Sequence, residues 1–447
     1  MDSILSSEFF MYDLKTMASY LFIELCRNGN NQAFTRNRKM PLSDLLLSIL
    51  SRRGKTLYLE LRDFMKVKAA YANTKTSITV SGYLKQRLKL NPEAFRFLYR
   101  SHNHNFYTSN GVNPRLFNGY LVLATDGTKV NIPANDETRA VFGTMDLGGT
   151  KGNVTQIGVE CIHDVLNKFI IDCSLNKATF SERDALKAML DNVPTIIGDK
   201  FPYVILMDRG YPSIPLFLNF IEKNIKFVAR LSSSDFKREQ KSLLSDDEYL
   251  NVEIDYSRMH YYLNTEREQL VTKQRYFPLR IVRIELDDGT YEYIATNLSK
   301  SEFNTKEMKD LYNSRWGIET TFCSLKDHLQ LENFTGTKPI LIQQDIYSTI
   351  YLYNLAEHLI RDIENSPQEE HLNNKKHPMK VNRSICYGLL KDELINIILE
   401  EDKKEKRRKM EDLYDEIARN VLPVRKDRHF ARHPTRRKYS QTHKRCF

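Results

Sequence analysis

Two short apolar segments, each leading directly into an aspartate, constrain the fold of this chain most. Residues 120–125 end at Asp126, and residues 204–207 end at Asp208. Strand-like segments at 154–162, 168–175 and 226–231 alternate with helical ones, which favours an α/β sheet with some antiparallel members. Sites in such sheets gather at the carboxyl ends of strands. The two aspartates are therefore candidate ligands for Mg²⁺ or Mn²⁺, although a lone Asp-Gly is more often a turn.

The segments on either side of this α/β region have a different character. Residues 1–110 show helical spacing of apolar residues in three short segments, of which the third carries Lys85, Arg87 and Lys89. This pattern fits a helix-turn-helix DNA reader or an ordinary helical bundle. Residues 232–300 are β-like, with a hairpin turn at 287–289. Helices are predicted over 304–330, 340–365 and 385–399.

Positive charge is concentrated at the end of the chain. Residues 419–447 contain ten Lys and Arg against one Asp, a net +9, whereas the whole chain carries +10. A basic tail on a near-neutral body is typical of a protein that holds a polyanion, although a solvated terminus is the alternative. The six scattered cysteines form no CxxC pair, so neither a zinc knuckle nor a disulfide framework is indicated. We see no signal peptide, and no apolar stretch reaches the ~20 residues that span a bilayer.

The segment 312–326 places a third acid beside basic and aromatic side chains. At about 100° per residue, Tyr312, Arg315, Glu319 and Lys326 share one arc of a helix, beside a separate apolar face. Such a stripe can hold an acid among phosphate-binding cations. The alternative is a surface face in which Arg315 and Glu319 form an ordinary i,i+4 ion pair.

The spacing of these four residues resembles the signature of the insertion sequence 4 family of bacterial DDE transposases. That signature is Tyr, two residues, Arg, three residues, Glu, six residues, Lys, and this chain matches it without departure. The segments beginning at Asp126 (Asp-Gly-Thr) and at Asp208 (Asp-Arg-Gly-Tyr) resemble the family's two Asp motifs. The resemblance covers roughly residues 40–360. It implies a ribonuclease-H-like catalytic core, with a β-rich insertion between the second Asp and the Glu.

The resemblance also implies a role for each matching residue. Asp126, Asp208 and Glu319 would bind two divalent ions, Mg²⁺ or Mn²⁺, which activate the attacking oxygen and stabilise the leaving one. Three residues would hold DNA phosphates near the cut: Tyr312, Arg315 and Lys326. Trp316 would stack on a displaced base at the transposon end, and a core tryptophan is the alternative.

These observations predict four regions and one activity. The regions are a helical DNA-binding region (1–112), the catalytic core (113–231 and 301–360), the β-rich insertion (232–300) and a helical C-terminal region with the basic tail (361–447). The activity that the resemblance implies is cut-and-paste transposition through a hairpin intermediate. The protein would act as a homodimer on inverted-repeat ends and target DNA, in the bacterial cytoplasm at the nucleoid. A nuclease without strand transfer and a DNA-binding protein with unused catalysis are the alternatives.

Overall fold

An eight-stranded mixed sheet forms the middle of the chain in a computed structural model that describes residues 5–36, 39–72, 77–146, 153–286, 288–366 and 377–424. The strands, including two short pairs outside this sheet, are β1 (Leu121–Asn131), β2 (Met145–Asp146), β3 (Asn153–Val154), β4 (Gln156–Asp164), β5 (Phe169–Lys177), β6 (Tyr203–Met207), β7 (Lys226–Leu231), β8 (Asp247–Glu253), β9 (Tyr276–Glu285), β10 (Tyr291–Thr296), β11 (Met379–Val381) and β12 (Val421–Pro423). The order in the large sheet is β5-β4-β1-β6-β7-β10-β9-β8.

Helices precede, interrupt and follow the sheet. They are α1 (Leu5–Met17), α2 (Tyr20–Cys26), α3 (Leu42–Leu50), α4 (Leu57–Ala72), α5 (Val80–Arg87), α6 (Glu93–Thr108), α7 (Asp136–Phe142), α8 (Glu182–Leu190), α9 (Val193–Ile197), α10 (Ile214–Glu222), α11 (Lys237–Ser242), α12 (Tyr256–Met259), α13 (Glu268–Thr272), α14 (Thr305–Asn313), α15 (Trp316–Cys323), α16 (Pro339–Glu364), α17 (Arg383–Leu399) and α18 (Lys403–Arg419). A 3₁₀ turn covers His260–Tyr262 and a π-helical turn covers Ser324–His328.

The strand order identifies a ribonuclease-H-like core. Strands β1, β6 and β7 run parallel, and helices α8 and α9 lie between β5 and β6 in the chain. Strands β10, β9 and β8 continue the sheet beyond β7, each antiparallel to its neighbour. The apolar sequence of β6 explains its buried place in the sheet, since strands covered on both faces are nearly continuous hydrophobic runs. The predicted fold class is confirmed.

The chain divides into two compact units. The sheet unit comprises Tyr107–Lys129 and Gly158–Phe322, and the helical unit comprises Met1–Phe106, Val130–Ile157 and Cys323–Phe447. In the helical unit, α16 is 26 residues long and most of its side chains are buried.

Two sequence-based expectations about local structure are wrong in detail. Strand β1 does not end before Asp126 but continues to Asn131, because Val130 keeps the buried side of the strand apolar beyond the polar Asp-Gly-Thr-Lys segment. The long helix predicted over 304–330 is broken after α14. Ser314 Oγ donates to the carbonyl oxygen of Leu311 (2.6 Å), and the Arg315 amide bonds back only three residues, to Tyr312 (3.0 Å). Such local bonds compete with helix continuation.

Candidate catalytic site

The first two acids come from adjacent parallel strands of the sheet unit. Asp126 lies in β1 directly after five buried residues, and Asp208 follows the last residue of β6. Leu123 of β1 pairs with Ile205 of β6, so the two aspartates lie near the same end of neighbouring strands. The Gly127 amide donates to Asp126 Oδ1 at 2.9 Å, which fixes the orientation of that carboxyl group.

The third acid, Glu319, is carried by α15, which is anchored to the region following β4. Thr321 Oγ1 lies 3.0 Å from His163 Nε2. A side-chain carbon built onto Gly317 would lie 3.1 Å from Val165 Cβ, so glycine permits the close approach of the helix at this point. These contacts hold the helix turn that presents Glu319 to the site.

A buried guanidinium, Arg315, lies among the three acids. Arg315 Nη2 is 3.2 Å from Glu319 Oε1, and only 3% of the residue is exposed. Burial alone would lower the pKa of Arg315, but Tyr312, Asp208 and Asp126 raise it above its ordinary value. Three segments that are far apart in the sequence therefore meet around one positive charge. Because Arg315 is buried and lies near acids from two other segments, the pair is more than the i,i+4 ion pair of a surface helix, although the Glu319 side chain itself is 37% exposed.

Two aromatic rings flank this guanidinium. Its central carbon lies 5.8 Å from the ring centroid of Tyr312 and 5.3 Å from that of Trp316, within the range of a cation–π contact. Tyr312 is buried, and its hydroxyl donates to Asp208 Oδ1 at 3.3 Å. Trp316 is 45% exposed, so it is not the core tryptophan of the alternative interpretation.

Desolvation and neighbouring negative charge give Asp126 an unusually high pKa. The pKa of Asp126 is raised from 3.8 to about 6, chiefly by burial and to a smaller extent by Glu182 and Glu319, whereas Arg315 and the Gly127 amide oppose the rise. The raised pKa means that the ionised form of Asp126 is disfavoured here, and a cation next to the carboxylate would stabilise that form.

The prediction from sequence missed two further acids beside Asp126. Glu160 in β4 is fully buried, and its Oε1 accepts hydrogen bonds from Thr125 (2.7 Å) and Tyr211 (2.6 Å). Burial raises the pKa of Glu160 to about 8. Glu182 is the first residue of α8, which Ser181 caps. The apolar neighbours of Glu160 in β4, Val159 and Cys161, are a signal that could have identified it, whereas Glu182 gave no signal beyond the helix cap.

The donor set fits a divalent metal ion in its chemistry. Five carboxyl groups and one guanidinium belong to the network described above, and carboxylate oxygens are the ligands that Mg²⁺ and Mn²⁺ prefer. One buried atom of this set, Glu160 Oε2, has no hydrogen-bond partner. Within the described ranges of the chain, no group of three or more His, Cys, Asp or Glu side chains is arranged to hold a metal ion. Arg315 provides the positive charge in this arrangement.

The remaining predicted DNA-binding residues lie in the helical unit. Lys326 is half-buried in the π-helical turn, Lys85 is exposed in α5, and Lys89 follows that helix. Arg87 is fully buried, and its Nη2 donates to Asp345 Oδ1 at 2.7 Å. A guanidinium with that partner and no exposed surface supports helix packing, so the predicted DNA contact of Arg87 does not fit the structure.

Two expectations concern parts of the chain or properties outside this site. The basic tail beyond residue 424 lies outside the described residues, and so does Asp287 of the predicted hairpin turn. In the described part of the chain, no helix is both long enough and apolar enough to cross a membrane.

Comparisons with known proteins find similarity to transposases. A family model described as "Transposase DDE domain" matches residues 117–355, which include all three acids. The chain is 21% identical over 357 residues to the transposase InsG of insertion sequence element IS4 from Escherichia coli, covering 77% of this chain and 76% of that protein. A solved structure of the piggyBac transposase in a synaptic complex with hairpin DNA is similar at a TM-score of 0.45 and 12% identity, covering 90% of this chain and 84% of that one. The fold is defined by the strand order given above and not by this last likeness.

Proposed function

This chain belongs to the insertion sequence 4 family of DDE transposases, and from that membership we propose that it performs cut-and-paste transposition with Asp126, Asp208 and Glu319 as its catalytic acids. As a DNA transposase it is an enzyme that breaks and rejoins phosphodiester bonds, and its domain depends on divalent metal. The observation that supports our assignment is the meeting of these three acids, from β1, the end of β6 and α15, around the buried guanidinium of Arg315.

We propose that the three acids hold two divalent ions, Mg²⁺ or Mn²⁺. Bound there, such ions would supply positive charge to the attacking and leaving oxygens of the phosphodiester. The protein's own part is to bring carboxylates from separate segments to one place and to keep them there. The Gly127 amide orients Asp126, the Tyr312 hydroxyl orients Asp208, and the contacts of Thr321 and Gly317 fix the helix of Glu319.

Arg315, Tyr312 and Trp316 act on the DNA in this proposal. Arg315 and Lys326 offset phosphate charge and position the strand. The exposed face of Trp316 is available for a base to stack on, which contributes ~1–3 kcal/mol when a base leaves the duplex. A displaced base would ease attack of the freed 3′-hydroxyl on the opposite strand, the step that forms a hairpin. Water is the first nucleophile, a second water reopens the hairpin and frees the 3′-hydroxyl again, and this hydroxyl then joins the target DNA.

The proposal extends to the partners. We propose that Lys85, Lys89 and the basic tail bind DNA, that region 1–112 reads the inverted-repeat ends, and that two copies of the chain act together at the bacterial nucleoid. Binding through the tail should weaken steeply with salt, since it would release counterions from the DNA.

The deciding experiment supplies end-sequence DNA, Mg²⁺ and a target plasmid to the full-length protein. We expect cut ends and joined products. Cutting without any joined product would indicate that the protein is a nuclease with the same fold and not a transposase. The variant Glu319→Gln should abolish both products but retain binding to the ends in a gel-shift assay. Glu285→Gln, the same chemical change at an exposed position at the end of β9, is the matched control and should behave like the wild type.

A further inference from the structure

A pocket in the helical unit is lined by two cations and by polar side chains. It lies between the loop that joins α3 to α4, the segment 329–335 and α17, and it encloses about 350 Å³, including space open to solvent. Arg52 comes from the loop and Lys391 from α17. None of the described residues that line the pocket is acidic. A cleft lined by one sign of charge concentrates ions of the opposite sign, so the pocket is suited to an anion.

The ammonium group of Lys391 has few partners in the protein. Its Nζ lies 3.4 Å from the carbonyl oxygen of Leu329, which is longer than the usual hydrogen-bond range of about 2.7–3.2 Å. A lysine carries three donors, yet Lys391 makes no other hydrogen bond and no ion pair with any described residue. Burial, and next the charge of Arg52, lower the pKa of Lys391 to about 8, whereas Glu60 and Asp392 oppose the fall. An anion in the pocket would stabilise the charged form of this lysine.

The second cation, Arg52, is held in place by α16. Its Nη1 lies 3.1 Å from Asp345 Oδ1, and its Nη2 donates to the carbonyl oxygen of the same residue at 3.3 Å. Asp345 also pairs with the buried Arg87, at 2.7 Å, so two guanidinium groups share one carboxylate. With Lys391, these four side chains comprise three cations and one anion, a net charge of +2.

Gly54 closes the loop side of the pocket on Gln330. Its φ of +84° lies in the left-handed region, and a side-chain carbon at this position would collide with Gln330 Oε1. Gln330 Oε1 also lies 3.4 Å from Asn333 Nδ2, whereas the amide nitrogen of Gln330 donates to no described residue. The pocket therefore offers a neutral N–H donor beside its two cations, and such donors hold the oxygens of phosphate groups.

We propose that this pocket binds a phosphate group, with the Lys391 ammonium, the Arg52 guanidinium and the Gln330 amide as its donors. The net charge of +2 favours a phosphate over a small anion of single charge. Either a DNA backbone or the free ion carries this group, and only the DNA source rests on the proposed function. Glycine at 54 is then required because any side chain would displace Gln330 from the wall of the pocket.

Binding of inorganic phosphate to the full-length protein tests the site. The titration is followed by calorimetry at pH 7.0 in EDTA, without DNA. We expect a saturable site, and we expect Lys391→Met to weaken phosphate binding about tenfold or more, because a hydrogen bond to a charged group is lost. Lys391→Arg retains the charge and should retain most of the binding. Lys380→Met, the same change at an exposed position in β11, is the matched control and should bind like the wild type.

A second measurement distinguishes the source of the phosphate group. The affinity for a non-specific DNA duplex is measured by fluorescence anisotropy over a range of salt concentrations. If a DNA phosphate enters the pocket, Lys391→Met should lower the slope of log affinity against log salt by about 0.9, and Lys380→Met should not. Weakened phosphate binding with an unchanged slope assigns the pocket to the free ion.

The result that overturns this proposal is that Lys391→Met matches Lys380→Met in both measurements. The proposed function would then still stand, because neither measurement uses the catalytic acids. Circular dichroism spectra of the variants establish that each is folded.

Discussion

Removing the charge of Asp126 should stabilise the metal-free protein. Burial raises the pKa of Asp126 from 3.8 to about 6, and at 1.36 kcal/mol per pKa unit this difference corresponds to about 3 kcal/mol. The folded state holds the proton more tightly than the unfolded state does. Stability is therefore lost as pH rises from about 4 to about 6, and the loss is complete above that range. Asn is nearly the same size as Asp, and its Oδ1 can still accept from the Gly127 amide.

The variant Asp126→Asn should unfold at a higher temperature than the wild type at pH 7.5 in EDTA. For a unit of 150–250 residues, 1 kcal/mol shifts the melting temperature by about 2–4 °C, which predicts a gain of roughly 6–12 °C if the sheet unit melts cooperatively. The measurement is thermal unfolding followed by circular dichroism at pH 4 and at pH 7.5. At pH 4 the gain should fall to a small part of that value, because the wild-type carboxyl is then protonated in the folded state and partly protonated in the unfolded state.

Divalent metal should reverse the ranking of the two proteins. An ion that binds only the folded state stabilises it by mass action, so Mn²⁺ should raise the melting temperature of the wild type and leave Asp126→Asn nearly unchanged. The control is Glu285→Gln, which should track the wild type in both buffers. A metal-free Asp126→Asn protein that melts below the wild type at pH 7.5, or a difference that does not depend on pH, would refute the reasoning.

The other predictions concern side chains around Arg315. Trp316→Ala should slow hairpin formation and joining about 5- to 150-fold, the equivalent of ~1–3 kcal/mol of lost stacking. Trp316→Phe should retain most of the rate. Equal rates for Trp316→Ala and the wild type in a single-turnover assay would exclude a base-stacking role for Trp316. Tyr312→Phe deletes the hydroxyl that donates to Asp208. It should weaken Mn²⁺ binding about tenfold, as expected for an outer partner of a ligand. A Mn²⁺ titration of the full-length protein followed by electron paramagnetic resonance measures the affinity, and an unchanged affinity would contradict the role of Tyr312 in orienting Asp208.

The parts of the fold that depend on local pattern were predictable from the sequence. The strand 226–231 coincides with β7, and the helix predicted over 340–365 corresponds to α16. These segments have uniform hydrophobic patterns and clear boundaries, such as Pro339 at the start of α16. The break after α14 was not predictable in this way, because Ser314 and Arg315 are both acceptable helix residues. The break coincides with the local hydrogen bond of Ser314 and with the packing of α15 through Gly317 and Thr321.

Only those residues of the candidate site that belong to a motif with fixed spacing along the sequence were predictable. The three acids and the aromatic and basic residues around Glu319 follow from a motif that can be read along the chain. Glu160 and Glu182 belong to no motif, and they become part of the site through the pairing of strands and the position at which α8 begins. Their proximity is a property of the tertiary structure, which the residue types at neighbouring positions do not encode.

The helix break at Arg315 connects the acids with the surface that DNA can reach. The guanidinium of Arg315 lies at this break, between one buried ring, Tyr312, and one exposed ring, Trp316. The same guanidinium pairs with Glu319. A base that stacks on Trp316 is therefore expected to affect the Arg315 guanidinium, which offsets the negative charge of the acids. Because Trp316 directly follows Arg315 in the sequence, we expect base displacement and the charge state of the site to be coupled, and Trp316→Ala to alter the Mn²⁺ concentration required for joining as well as its rate.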